Sequence, residues 1–103
     1  MSAVLRHVVC FKFKAATTAE LKEQFIREGR QLQSAVSDLN FKIDLTTSVT
    51  TERTKGYTHF LYSEFSDEAD LQKYAQHPAH QAFVGKFKEH FEDVMAFDLL
   101  VPF

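Results

Sequence analysis

From Ala3 to Lys14 the chain alternates. Ala3, Leu5, Val9, Phe11 and Phe13 share one parity with a lone His7, and Val4, Val8 and Cys10 share the other with Arg6, Lys12 and Lys14. A period of two with β-branched and aromatic residues predicts a strand, with His7 turned into whatever covers its apolar face. The second face is apolar at its centre, so it too is expected to be covered, and in so small a domain a second subunit is the natural cover. The period then changes. Thr17-Thr18-Ala19-Glu20 has the spacing of a capping box, with the Thr17 hydroxyl and the Glu20 carboxylate as its partners. Leu21, Phe25, Gly29, Leu32, Val36 and Leu39 follow at helical spacing between Lys, Arg, Glu and Gln residues. Gly29 interrupts that stripe, either for close packing or to open a cavity.

Phe41, Ile43, Leu45, Thr47 and Val49 alternate with polar residues up to Thr50 and predict a second strand. After the polar turn closed by Gly56, Tyr57 to Phe65 predicts a third, paired with the second as a hairpin and carrying His59 on the parity of Leu61 and Phe65. Ser66-Asp67-Glu68 marks a helix start with a hydroxyl cap. Leu71, Tyr74 and Ala75 form the apolar side of this helix, and Pro78 ends it near Gln76 and restarts it as a first-turn residue. His80, Phe83, Val84, Phe87, Phe91 and Val94 continue at helical spacing, and Met95 to Val101 predicts a last strand, apolar on both parities except at Asp98. The order strand, helix, strand, strand, helix, strand defines an α+β chain of one domain over residues 1–103, a ferredoxin-like βαββαβ fold with a four-stranded antiparallel sheet and both helices on one face.

Composition narrows the function classes. With 103 residues and 45% hydrophobic content, including eleven Phe and no Trp, the chain has the material for a core without staples. The net charge is −2 and no basic block is present, which argues against nucleic acid as a partner. No apolar run reaches the length of a membrane helix. The charged residues within the first strand leave no signal-peptide core, and a single cysteine, Cys10, suits a reducing compartment, so a cytoplasmic location without membrane association is expected.

The chemistry-bearing residues gather around Tyr74-Ala75-Gln76-His77-Pro78-Ala79-His80. A neutral imidazole is a competent base near pH 7, and abstraction of a proton α to a carbonyl needs such a base plus a donor to the enolate oxygen. His80 is the candidate base, and Tyr74 and His7 are candidate donors or orienting groups. Each has a structural alternative: His80 can satisfy a backbone carbonyl, His7 can be a satisfied core histidine, and Tyr74 can bury its ring. Phe83 and Phe87 are expected pocket walls as part of the core, Gly29 is one where it opens a cavity rather than serving close packing, and His59 turns to the same helices on the parity of Leu61 and Phe65. His77 is expected to close the break at the proline, and His90 to lie at the surface. His77 and His80 have metal-ligand spacing, but no third ligand accompanies them, and no metal site is expected.

Taken together, His7-Val8-Val9-Cys10-Phe11-Lys12-Phe13-Lys14, Gly56-Tyr57-Thr58-His59 and Tyr74-Ala75-Gln76-His77-Pro78-Ala79-His80 resemble the stress-responsive dimeric α/β barrel family (Dabb) over essentially the whole chain. The resemblance implies a homodimer whose two sheets pack face to face. In polyketide-cyclising members of the family, a first-strand histidine, a tyrosine before the His-Pro motif and the second histidine of that motif serve an intramolecular aldol closure. Their counterparts here are His7, Tyr74 and His80, with His59 nearby. Gly29 stands where those members carry a pocket tyrosine, which changes pocket size and polarity. Three readings follow: a cofactor-independent enzyme acting on a hydrophobic carbonyl compound, a non-catalytic stress or apolar-ligand-binding protein, and a cofactor-free monooxygenase-like relative. Absence of Trp counts against haem degradation. Some relatives hold a structural divalent ion at the end of the first helix, nearest Val36 and Leu39 here.

Overall fold

The computed structural model describes residues 3–36, 38 and 42–102. Strand β1 (Ala3–Phe13) leads to helix α1 (Ala19–Ala35), strands β2 (Lys42–Thr47) and β3 (His59–Phe65), helices α2 (Glu68–Gln76) and α3 (Pro78–Phe87), a 3-10 turn at Lys88–His90 and strand β4 (Phe91–Pro102). The strands form one antiparallel sheet in the order β2-β3-β1-β4. The ferredoxin-like α+β architecture read from the alternation is the observed one, with its second helical segment divided in two at Pro78.

Register sets the two faces. His7 pairs with Ser63 of β3 and Asp98 of β4, and Phe11 pairs with His59 and Val94, so the odd positions of β1 and β3 and the even positions in the middle of the edge strand β4 share the helix-facing side. There Phe11, Phe13, Phe25, Leu45, Leu61, Phe65, Phe83 and Phe87 form the core, with Phe25 ringed by Phe11, Phe13, Phe83 and Phe87 at centroid separations of 4.9 to 5.2 Å. The opposite face carries Val8, Cys10, Phe60, Met95, Phe97 and Leu99, without a helix over it. Phe97 and Leu99 are 48% and 51% exposed, so in a single chain this apolar face stands in water.

Several boundaries differ from the sequence reading for local reasons. The α1 cap is Thr18, whose hydroxyl accepts from Leu21 N–H at 3.2 Å, while the Thr17 hydroxyl donates to the His90 carbonyl at 3.5 Å. Asp67 rather than Ser66 caps α2, its carboxylate accepting from Asp70 N–H at 2.9 Å. The β2 ladder stops at Thr47, and β3 starts at His59 because Lys55 and Gly56 turn with positive φ (54° and 89°) and Tyr57 N–H donates to Thr54. Leu39 and Phe41, read into the first helix and second strand, lie outside the described residues.

The largest correction concerns Phe91 and Val94, which lie on β4 and not on a helix. α3 ends at Phe87, and the His90 carbonyl accepts from Lys14 N–H at 2.8 Å. The ladder register shifts between Lys12 and Phe13, so that Phe13 pairs with Phe91 and Lys12 with Asp93. One extra residue in β4 puts Phe91 on the same face as Val94. A bulge thereby reproduces the i, i+3 spacing of a helix.

Gly29 is explained by packing. A Cβ built there would lie 2.5 Å from Leu45 Cδ1 and 3.1 Å from Leu45 Cβ, and Leu45 is fully buried. Helix α1 thus rests directly on β2. Gly29→Ala is expected to lower stability by about 1–2 kcal/mol, because overpacking of roughly 1–3 kcal/mol outweighs the helix-propensity gain of about 1 kcal/mol. Urea denaturation checks this, and Leu45→Ala in the Gly29→Ala background is expected to be less destabilising than the two single changes added together.

Candidate functional site

The site is built around the single residue between α2 and α3. His77 precedes a proline and takes φ −65°, ψ 135°, which ends α2. Its backbone N–H donates to the Tyr74 carbonyl at 3.0 Å, and its Nδ1 accepts from Ala79 N–H at 3.1 Å, so one histidine closes one helix and caps the next. Pro78 occupies the first helical position, where its missing donor costs nothing. His80 sits in the first turn of α3 and donates Nδ1–H to the Ala75 carbonyl at 3.1 Å, one of the carbonyls that the end of α2 leaves open. This bond fixes the tautomer. Nε2 then keeps its lone pair.

Tyr74 is fully buried, its ring 4.4 Å from that of His80, 5.1 Å from Phe65 and 6.3 Å from His7. Its hydroxyl is buried with no hydrogen-bond partner. From β1, His7 contributes an imidazole whose Nδ1 lies 2.5 Å from Asp98 Oδ1 on β4. That ring is largely enclosed, with 14% of the side chain exposed, and the Nδ1–Asp98 bond again leaves Nε2 uncommitted. His7, Tyr74, His80, Phe83 and Asp98 all line one cavity of about 620 Å³, between α2, α3 and the β1/β4 side of the sheet. Val9, Phe11, Leu61, Val84 and Phe91 make its walls apolar.

Burial acts on both titratable groups facing Tyr74's hydroxyl and His80's imidazole. It pushes the Tyr74 phenol well above its usual range, so the group remains an O–H donor at any physiological pH. It also lowers the His80 pKa below its ordinary value; the Ala75 carbonyl opposes that shift, and the nearby His7 and His77 reinforce it. Near neutral pH His80 is therefore an unprotonated base.

The other expected site residues are elsewhere. Phe87 is fully buried in the core behind Phe83, and Gly29 faces Leu45. His59 is 5% exposed, wedged against Phe13 at 4.9 Å and Phe25 at 6.0 Å, with Nδ1 2.8 Å from the Thr58 hydroxyl. None of the three lines the cavity. Asp98 was not singled out as a site residue, although a lone charge in a strand apolar on both faces is a usable signal. His90 is partly buried, its Nε2 3.7 Å from Glu89. Among the described residues no three His, Cys, Asp or Glu side chains are grouped to hold a metal ion. Val36 is buried at the end of α1, and Leu39 lies outside the described residues. No described helix is long and apolar enough to cross a membrane.

A helix-covered antiparallel sheet with a tyrosine and two histidines lining its helix–sheet cavity defines a ferredoxin-like α+β protein with a candidate small-molecule site. The chain belongs to the stress responsive A/B barrel domain family (Dabb), whose model matches residues 5–101. It is 29% identical over 97 residues to olivetolic acid cyclase of Cannabis sativa, across 91% of this chain and 93% of the relative. Among solved structures, a dimeric ferredoxin-like protein of unknown function from Bacteroides fragilis is 25% identical, with a TM-score of 0.78 over 94% of this chain and 95% of that one. The hydroxynitrile lyase of Passiflora edulis shares the fold at 20% identity, with a TM-score of 0.86 over 98% of this chain and 95% of that one.

His59 makes the fold acid-sensitive. Burial, and next the charge of Lys22, hold its pKa below the unfolded value near 6.5, so the unfolded chain binds the extra proton first. Stability is expected to be level above about pH 6.5 and to fall as pH drops through the window below it. Thermal unfolding at pH 7 and pH 5 checks this; His59→Phe is expected to narrow the difference between the two.

Proposed function

We propose that the cavity carries out cofactor-independent acid–base chemistry on a hydrophobic carbonyl compound, with intramolecular ring closure of the polyketide-cyclase type as the preferred reaction. The observation that carries this reading is the buried Tyr74 hydroxyl, unpartnered and set against a neutral His80 whose free nitrogen is fixed by Ala75. The relative bearing the name olivetolic acid cyclase supports the choice of cyclisation.

The steps follow from the groups present. His80 Nε2 removes a proton from the carbon α to a carbonyl, and the C–H electron pair moves into the enolate. Tyr74 O–H donates to the enolate oxygen where charge develops, in a cavity whose apolar walls strengthen that bond. The enolate carbon attacks a second carbonyl of the same molecule, and the proton held on His80 passes to the new alkoxide. His7, whose Nδ1–H is held by Asp98, accepts at Nε2 from a substrate hydroxyl or enol O–H and orients it. The same cavity also suits an apolar ligand held without turnover, which is the second reading.

We assign the uncovered sheet face to a second copy of this chain. Its support is the exposed apolar row Met95, Phe97 and Leu99 opposite the helices, together with the dimeric description of the Bacteroides fragilis relative. Sedimentation at micromolar concentration is expected to show a homodimer and Leu99→Asp a shift to monomer; a compact wild-type monomer would overturn the assignment.

In a panel of β-polyketide thioesters and activated ketones, His80→Ala is expected to lose about 10²- to 10⁴-fold in rate and Tyr74→Phe about 10²- to 10³-fold. The acid limb of kcat/KM is expected below pH 6.5, with activity rising as His80 loses its proton and level at neutral pH. If the wild type accelerates neither α-proton exchange nor cyclisation above buffer, the enzymatic reading fails, and native mass spectrometry of the purified protein then tests for a retained apolar ligand.

A further inference from the structure

Helix α3 contains a glycine that packing does not explain. Gly85 is exposed, and a Cβ built there meets nothing within 4 Å, in contrast to Gly29 with Leu45 against it. Mid-helix glycine is destabilising relative to alanine, so a site with room for a methyl group loses stability without a packing return. Beside it lies an open groove of about 300 Å³, lined by Ala75, His80, Gln81, Val84, Gly85 and Lys88. Ala75, His80, Val84 and Lys88 also line the main cavity. The row His80, Val84 and Lys88, spaced four apart along α3 and into the 3-10 turn that follows it, is therefore the rim between the two spaces, and the candidate base stands on it.

Charge distinguishes the two sides. The main cavity includes the carboxylates of Glu68 and Asp98 as well as Lys88, whereas the groove contains Lys88 and no carboxylate. Lys88 has no acidic partner within 4.0 Å among the described residues; the ion pairs there engage Arg6, His7, Lys12, Arg30, Lys86 and His90 instead. An uncommitted ammonium at the rim of an apolar cavity, beside an open groove into which Gly85 projects no side chain, suits the anionic end of an amphiphile.

We propose that the groove over Gly85 is a second binding subsite, in which Lys88 pairs with a carboxylate or phosphate at the end of a ligand whose apolar body occupies the main cavity. This rests on the reading of that cavity as a site for a hydrophobic carbonyl compound and adds an acidic terminus to its substrate class. A ligand so held crosses the rim at His80, which fixes the distance between its anionic end and the carbon that faces the base.

Calorimetric titration of the full chain with octanoate, octyl phosphate and octan-1-ol tests the subsite. Both anions are expected to bind about threefold to fivefold more tightly than the alcohol, the range of a partly exposed ion pair. Lys88→Met is expected to erase that preference, Lys88→Arg to keep it, and Gly85→Leu to weaken both anions while leaving the alcohol unchanged. The ratio between octanoate and octyl phosphate tells which head group the subsite favours. Equal binding of alcohol and anions, or a preference that survives Lys88→Met, overturns the subsite and leaves the apolar cavity standing. Failure of all three to bind overturns the cavity reading and the subsite with it.

Discussion

The pyrrolidine ring of Pro78 is the constraint on which the site depends. Its Cδ crowds the preceding residue out of the helical region and so ends α2, and the last carbonyls of α2 are left to find partners outside their own helix. His77 N–H takes the Tyr74 carbonyl and His80 Nδ1–H takes that of Ala75. A helix-termination problem is thereby solved with an imidazole, and the solution selects the tautomer. The geometry of the candidate base is a by-product of satisfying the backbone, which holds it more firmly than a surface loop would.

The edge position of β4 supplies the second half of the site. The helices cover β2, β3 and β1 more fully than they cover β4, so the cavity forms along the β1/β4 seam. Asp98 reaches His7 across that seam while remaining half exposed. An acid in a fully covered strand would carry a desolvation cost that one hydrogen bond does not offset. At the edge it retains solvent and still orients the ring. The same strand turns Met95, Phe97 and Leu99 to the other face, so its two apolar parities serve two different surfaces.

Much of this was legible in the residues, and the failures share a cause. Strand parity placed His7 under the helices, and Pro78 divided the second helical segment where expected, because both signals are local. Phe91 and Val94 were misread because a bulge produces helical spacing within a strand, and only the pairing register with β1 reveals it. The caps moved by one residue because adjacent Thr17 and Thr18, or Ser66 and Asp67, are equally able to accept a backbone N–H. Gly29 and His59 were read toward the cavity through their counterparts in the polyketide-cyclising members of the family, although the residues themselves already offered close packing for Gly29. Their position along the sheet, against Leu45 for one and Phe13 for the other, is a tertiary fact that no spacing encodes.

Tyr74 shows how far the site departs from what stability alone favours. Leaving a buried hydroxyl unpaired costs about 1–3 kcal/mol, a sizeable share of the 5–15 kcal/mol that typically holds a domain together. Phenylalanine fits a ring packed edge-on and tilted among Phe65, His7 and His80 without that cost. The hydroxyl is worth retaining where a ligand oxygen completes it. Burial disfavours the charged form of each group beside it, so the phenol keeps its proton and His80 gives its proton up. A single cause, exclusion of water by the apolar wall, therefore produces a donor and an acceptor side by side, which is the pair that enolisation requires.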